Sequence, residues 1–259
     1  MRSARAKVLY RSFAIVIAAG VCSMSLLARA DGISDLDDAV ARMQFAYYTN
    51  DPRGLSDAID LVAKVELPLS MKGMREYFTA YGQWRLAELR NDQLRAGVRT
   101  ARSQLNDAAD ACRDAAEAAI ELDARMAEAH ALEAICSSMT RPDVSNNASC
   151  SKHKALRTAR ELAVNNPRVL LIEAQCAFQS DKDPQAVIQR LNGVVRAFEN
   201  APASRPGRPD WGHAEALVLL GEAHLARGDA LAARDVIERA LVIAPDYEKA
   251  KAALKSAAR

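Results

Sequence analysis

The residues of this chain that could do chemistry are a few cysteines and histidines and one short acidic cluster. Beyond the first thirty residues there are four cysteines, none with the Cys-x-x-Cys spacing of a redox or zinc site. We therefore favour structural disulfides, with small buried core residues as the alternative. The four candidates allow three complete connectivities, and they are Cys112, Cys136, Cys150 and Cys176.

Two pairings follow from how the cysteines flank two predicted helix breaks. Cys136 and Cys150 lie on either side of the loop Thr140–Ala148, and Cys112 and Cys136 lie on either side of Asp123-Ala124. The two pairings exclude each other. We favour Cys136 with Cys150, because Cys112 is expected to point inward, toward its own hairpin partner.

The histidines and the acidic cluster have structural interpretations, as helix-packing residues and as helix caps. None of the four histidines forms an i,i+4 pair, and His224 occupies a packing position on a helix. Asp35, Asp37 and Asp38 lack the glycine and the distal glutamate of a calcium loop, so they favour helix capping. No phosphate-binding glycine loop, Gly-x-Ser-x-Gly elbow or His-Glu-x-x-His motif is present. We predict no catalytic residue, no metal site and no cofactor.

The first thirty residues have the pattern of a cleaved export signal. Basic residues precede an apolar run over Phe13–Leu27, and Ala28-Arg29-Ala30 supplies a small-x-small cleavage site. The alternative, a membrane span, needs about 20 apolar residues. Cleavage would remove five basic residues and no acidic ones, leaving 30 basic against 33 acidic residues. This slightly acidic balance argues against a nucleic-acid partner, so we predict none. We also predict a periplasmic protein with no membrane span after cleavage.

The composition predicts an all-α protein. Half of the residues are apolar but only 5% are aromatic, alanine and leucine are abundant, and no alternating β-branched run occurs. We divide the chain into an export signal at 1–30, degenerate helical repeats at 31–104, and clearer repeats at 105–258 that end in a capping helix.

The clearest repeat runs from Ala214 to Pro245. Small residues lie where two antiparallel helices would approach most closely, and larger apolar residues lie where neighbouring pairs would interlock. Gly228-Asp229 makes the turn between the helices, and Pro245 ends the second one. The predicted repeat-packing residues are Leu217, Leu220, Gly221, His224, Ala233, Ile237, Ala240 and Pro245.

This pattern resembles the tetratricopeptide repeat, a helix–turn–helix unit of about 34 residues. Earlier copies keep the same phase, with Ala155 and Ala159 at contact positions before Pro167. The resemblance implies a right-handed α-solenoid of antiparallel helix pairs. A narrower resemblance is to an uncharacterised group of exported bacterial tetratricopeptide proteins, and it rests on Asn166-Pro167-Arg168, Phe198 and Pro209-Asp210-Trp211-Gly212.

The resemblance also implies a function. In the family, the first helix of each pair lines a concave groove that binds an extended peptide or a partner helix. We therefore predict a periplasmic scaffold or adaptor for protein–protein interaction that catalyses nothing. The alternative is a small-molecule or lipid-binding accessory protein of an envelope transport system, which would need an enclosed apolar pocket. The groove positions carried over from the family are Val169, Ile172, Glu215, Val218, Glu222 and Leu225.

Aromatic residues are concentrated in the N-terminal helices. Core packing is the favoured interpretation, and an anchor for a partner is the alternative. Trp211, in the proline-rich linker, is expected to pack that linker against the repeats. The N-terminal aromatic residues are Tyr47, Tyr48, Phe78, Tyr81 and Trp84.

Overall fold

The computed structural model describes residues 32–139, 148–178 and 183–258. The predicted export signal and most of the predicted loop at 140–148 lie outside the described residues. Within the described ranges the regular structure is helical throughout, and no helix is long and apolar enough to cross a bilayer. In chain order the helices are α1 over residues 32–48, α2 Pro52–Ala63, α3 Met74–Arg95, α4 Ala101–Leu122, α5 Ala127–Met139, α6 Ala148–Ser151, α7 Lys154–Leu162, α8 Pro167–Phe178, α9 Pro184–Glu199, α10 His213–Ala226, α11 Ala230–Ile243 and α12 Glu248–Ala257.

The helices pack as consecutive pairs. α3 packs on α4, α5 on α7, α8 on α9 and α10 on α11, while α2 packs against α3, and α12 packs against both helices of the last pair. The first helices of successive pairs also contact one another, from α3 through α5, α8 and α10 to α12. We call α1, α3, α5, α8, α10 and α12 the first-helix layer. The prediction of an all-α stack of helix pairs is confirmed.

The last repeat shows how sequence sets the spacing of a pair. A Cβ atom on Gly221 would lie 2.5 Å from Cγ1 of Ile237, so glycine permits the close approach of α10 and α11. Gly228 has a φ of 83°, which suits the turn, and the Asp229 carboxylate accepts a bond from the Ala232 amide. Among the predicted packing residues Pro245 is exposed and His224 is half-buried, whereas the buried ones are Leu217, Leu220, Gly221, Ala233, Ile237 and Ala240.

The region after residue 147 forms two helices and not one. A single turn, α6, ends at Ser151, and α7 begins at Lys154. His153 between them is extended, and its Nδ1 accepts a bond from the Ala155 amide, which caps α7. The break turns α6 away from the α7 axis and onto α8.

This break explains why the favoured disulfide, Cys136 with Cys150, is wrong. Cys136 pairs with Cys112, with Cα atoms 5.9 Å apart, because α4 and α5 pack directly on each other. Cys150 pairs with Cys176, with Cα atoms 5.6 Å apart, because α6 lies against α8. All four candidate cysteines are therefore in disulfides. One bridge joins α4 to α5, and the other joins α6 to α8.

Replacing both Cys112 and Cys136 with alanine is expected to lower the free energy of unfolding by about 3 kcal/mol. The bridge spans 24 residues, so its loss frees a sizeable loop of the unfolded chain. Guanidinium denaturation of the oxidised proteins measures the difference, which should shrink when both proteins are fully reduced. Non-reducing peptide maps should link Cys112 to Cys136, and a Cys136–Cys150 peptide would contradict the pairing.

Candidate binding site

Trp211 joins the linker before α10 to helix α3. Its ring stacks on Tyr81 with centroids 4.9 Å apart and meets Trp84 edge-on at 5.5 Å. Its Nε1–H donates to the hydroxyl of Tyr77 at 2.8 Å. The sequence predicts that Trp211 packs the linker against the repeats, and its ring instead packs the linker onto α3, in the N-terminal helices.

The beginning and the end of the described chain also meet on this layer. The hydroxyl of Tyr47 in α1 lies 3.4 Å from that of Tyr247, which precedes α12, and the ring of Tyr48 lies 4.7 Å from the Tyr247 ring. Tyr47, Phe78, Tyr81 and Trp84 are buried, so these four N-terminal aromatic residues pack in the core, whereas Tyr48 is half-buried. The centre of the first-helix layer is thereby closed by the chain itself.

Arg85 is the charged residue at this closed centre, and it is 1% exposed. Its guanidinium contacts the Glu88 carboxylate in the same helix and the Glu215 carboxylate of α10, each at 2.7 Å. It also lies 3.9 Å from the Trp84 ring centroid and 4.5 Å from that of Tyr47. One buried cation is thus held by two carboxylates and two aromatic faces from three helices.

Burial sets the ionisation of the groups around Arg85. Desolvation raises the pKa values of Tyr47, Tyr77 and Tyr247, so these hydroxyls stay neutral and act as hydrogen-bond partners. Desolvation by itself lowers the pKa of Arg85, but the surrounding tyrosines and the carboxylates of Glu88 and Glu215 outweigh it, and the net pKa is raised. The centre is therefore a charged core in which two carboxylates pair with the arginine, and not a reactive group poised near neutral pH.

Two clefts on the first-helix layer lie toward opposite ends of α3. The Trp84 cleft lies where α3, α5 and α8 end, and has a volume of about 320 Å³. The linker cleft lies where the same three helices begin, beneath residues 201–209, and has a volume of about 530 Å³. Both volumes fall in the range of about 300–1,000 Å³ that is usual for ligand pockets.

The Trp84 cleft combines an apolar floor with a charged rim. Trp84, Leu105 and the Cys150–Cys176 bridge form part of its wall. Within the described part of the chain neither Arg95 nor Arg102, which are exposed at the rim, forms an ion pair. Two polar residues of the lining already bond to each other, because the Gln175 side-chain amide donates to the Glu88 carboxylate at 2.6 Å. The cleft offers apolar contact and two unpaired positive charges.

The helix pairs, the close approach at Gly221 and the Gly228-Asp229 turn have the geometry predicted from the repeat pattern. The fold is tetratricopeptide-like. No family model and no curated protein matches the chain.

Three solved structures are among those similar to this tetratricopeptide-like stack. YrrB, described as a TPR protein with an unusual peptide-binding site, is 14% identical with a TM-score of 0.39, over 80% of this chain and 93% of that one. MamA is 17% identical with a TM-score of 0.36, over 60% and 90% of the two chains. The TPR2AB domain of yeast Sti1, in a pHSP90 complex, is 12% identical with a TM-score of 0.37, over 87% and 99%.

Four of the six predicted groove residues are inside this tetratricopeptide-like stack. Val169, Ile172 and Val218 are fully buried, and Glu215 is buried in its ion pair with Arg85. They cannot line an open groove, so the prediction is corrected for these positions. The physical reason is that α1 and α3 close onto the C-terminal helices. Glu222 and Leu225 are half-buried, and Glu222 contacts Lys249 of α12 at 3.3 Å.

One signal in the sequence could have revealed this burial. The run Ala216–Leu220 is apolar on every side of the helix, and a helix that is apolar all round is buried. The role of Arg85 has no comparable local signal, because its partner Glu215 lies 130 residues away.

The remaining candidates have structural surroundings. Nδ1 of His224 lies 3.8 Å from the Asp229 carboxylate, and desolvation lowers the pKa of this histidine despite that neighbour. Among residues 32–139, 148–178 and 183–258, no three side chains of histidine, cysteine, aspartate or glutamate are grouped to hold a metal ion.

Proposed function

We propose that this chain is an exported periplasmic scaffold that binds a protein partner through the Trp84 cleft and carries out no catalysis. The observation that carries the proposal is the Trp84 cleft itself. It belongs to the first-helix layer, which in a tetratricopeptide-like stack is the surface expected to meet a partner. The centre of that layer is closed by Arg85, Glu215 and the aromatic residues around them, so binding is assigned to the open end of α3.

The chemistry of the cleft favours a short segment with an apolar side chain next to an acidic group. Leu94 and Met139, which line the cleft and are half-buried, offer apolar surface, whose burial would stabilise a complex by roughly 25 cal/mol per Å² of apolar area. Arg95 and Arg102 offer positive charge at the rim, and within the described residues neither forms an ion pair with a carboxylate. Charges at the rim of an interface act mainly on association rate and specificity.

The compartment is part of the proposal. The N-terminal segment has the pattern of an export signal, and the chain without it is mildly acidic. Two disulfides are the usual state of cysteines in an oxidising compartment such as the periplasm. Together these observations support export, and the resemblance to exported tetratricopeptide proteins supports it as well.

A second candidate function is the binding of a small molecule or lipid for an envelope transport system. It is favoured by the closure of the first-helix layer, which leaves clefts of small-molecule size instead of one long groove. Native mass spectrometry of the protein purified from the periplasm distinguishes the two functions. A stoichiometric co-purified compound favours this second function.

Reversing the rim charges is expected to weaken partner binding about tenfold. The variant Arg95→Glu/Arg102→Glu places two negative charges where an acidic segment would dock. Both side chains are exposed and unpaired within the described residues, so the fold should be unaffected. Capture from a periplasmic extract identifies partners, and titration of the purified partner gives the dissociation constant.

Arg99→Glu is the matched control, because Arg99 lies between the two rim residues in sequence, is exposed, and does not line the cleft. The purified partner should bind the wild type and Arg99→Glu equally. Equal binding to all three proteins would remove the Trp84 cleft from the proposal. A small molecule bound by the wild type and lost from the double variant would favour the second function.

A further inference from the structure

The linker cleft is a built feature, because hydrogen bonds tie the linker that roofs it to two helices. The Gly207 amide donates to the Asp37 carboxylate of α1 at 2.8 Å. The Pro209 carbonyl accepts from the Ser204 hydroxyl at 2.7 Å and from the guanidinium of Arg168 in α8. The linker is thus tied to two helices that are far apart in sequence, and the space beneath it is defined.

The cleft is rich in unpaired positive charge. Arg125, Arg168, Arg205 and Arg208 all line it, and within the described residues none of them forms an ion pair with a carboxylate. Nε of Arg168 is buried without a hydrogen-bond partner. The Arg208 guanidinium donates to the Met74 sulfur at 3.5 Å, which is a weak acceptor.

The two carboxylates in the lining are already engaged. Asp123 accepts a bond from the backbone amide of Arg125 at 3.0 Å. Glu128 accepts a bond from the Asn166 side-chain amide at 2.7 Å. They offset part of the arginine charge, but four guanidinium groups against two carboxylates leave a net positive cleft.

Helix geometry adds to this charge. α3, α5 and α8 begin at Met74, Ala127 and Pro167, and residues of all three first turns line the cleft or adjoin it. The positive ends of three helix dipoles therefore face the same space. The combination of converging helix starts and unpaired arginines favours a negative ligand.

We propose that the linker cleft binds a small polyvalent oxyanion. A guanidinium group is always charged in proteins and matches the two oxygens of a phosphate or carboxylate in a bidentate fork. The volume of about 530 Å³ exceeds what one phosphate group fills, so the ligand carries two or more oxyanion groups. Organic phosphates and polycarboxylates both provide this chemistry. The site is independent of the Trp84 cleft, which lies at the other end of α3.

Isothermal titration with inorganic pyrophosphate and with citrate tests the proposal on the full mature chain. The cleft variant Arg125→Gln/Arg205→Gln/Arg208→Gln removes three exposed guanidinium groups and leaves Arg168 to hold the linker. The matched control is Arg234→Gln on α11, which removes one exposed charge outside the cleft. Thermal unfolding of each protein shows whether it is folded.

We expect saturable binding of at least one anion, with a dissociation constant raised about tenfold or more in the cleft variant and unchanged in Arg234→Gln. Binding of pyrophosphate alone assigns the site to phosphates, and binding of citrate alone assigns it to polycarboxylates. No saturable binding of either anion by the wild type overturns the proposal. So does a loss of affinity that is as large in Arg234→Gln as in the cleft variant.

Discussion

Replacing Trp211 with alanine is expected to lower the free energy of unfolding by about 4 kcal/mol. The side chain is 2% exposed, stacks on Tyr81, and donates its N–H to Tyr77. The truncation opens a cavity in the aromatic centre and leaves a buried hydroxyl without its donor. Because Tyr77 and Tyr81 both belong to α3, the linker also loses its main attachment to the N-terminal helices. Urea unfolding followed by circular dichroism measures the effect.

Two comparisons separate the ring from its N–H group. Trp211→Phe keeps an aromatic ring and loses the hydrogen bond, so it should cost about 1–3 kcal/mol from the unsatisfied Tyr77 hydroxyl and the smaller ring. Leu231→Ala on α11 removes a side chain that is 81% exposed, and should change stability by less than about 0.5 kcal/mol. If Trp211→Ala behaves like Leu231→Ala, the linker is not anchored to α3 as described.

The last repeat could be predicted closely because its signals are local. Each of these signals acts within a single helix pair: Gly221 allows the close approach, Gly228-Asp229 forms the turn, and Pro245 follows the second helix. A glycine at a close approach, a left-handed turn and a proline after a helix have the same meaning in any context. The helices α10 and α11 therefore lie where the pattern placed them.

The binding surface could not be predicted in the same way, because it depends on contacts between distant residues. The family groove assumes an open stack, whereas Tyr47 meets Tyr247 and closes the first-helix layer across 200 residues of sequence. No spacing rule encodes that contact. The disulfide prediction failed for a related reason, because the single turn α6 reorients Cys150 toward α8 and no residue type marks that change of direction.

Neither the Trp84 cleft nor the linker cleft could be predicted from the sequence. Arg95 and Arg102 come from α3 and α4, and Arg125, Arg168 and Arg208 come from three further segments. Each of these residues alone has the pattern of a solvated surface charge. Only the folded chain shows that they surround two spaces and that none of them is paired within the described residues.

Replacing Glu215 with alanine is expected to lower the free energy of unfolding by about 3 kcal/mol or more. The substitution leaves one end of the buried Arg85 guanidinium without its carboxylate and also removes the acceptor of the Tyr48 hydroxyl and the Gly212 amide. Glu88 keeps the arginine partly compensated, so the cost should lie toward the lower end for a broken buried pair. Urea unfolding of the purified variants gives the value.

The expected loss of stability in Glu215→Ala comes from the burial of the ion pair, and not from the ion pair as such. An exposed ion pair elsewhere in the chain tests this explanation. Arg234 and Glu238 on α11 are also joined at 2.7 Å, but both side chains are at least half exposed. Glu238→Ala should therefore cost less than about 1 kcal/mol, because water and salt replace the lost partner. Glu215→Gln should fall between the two, since it keeps the shape and some hydrogen bonds of the buried residue and loses its charge. Equal costs for Glu215→Ala and Glu238→Ala would mean that Arg85 is solvated, and that the centre of the first-helix layer is open to water.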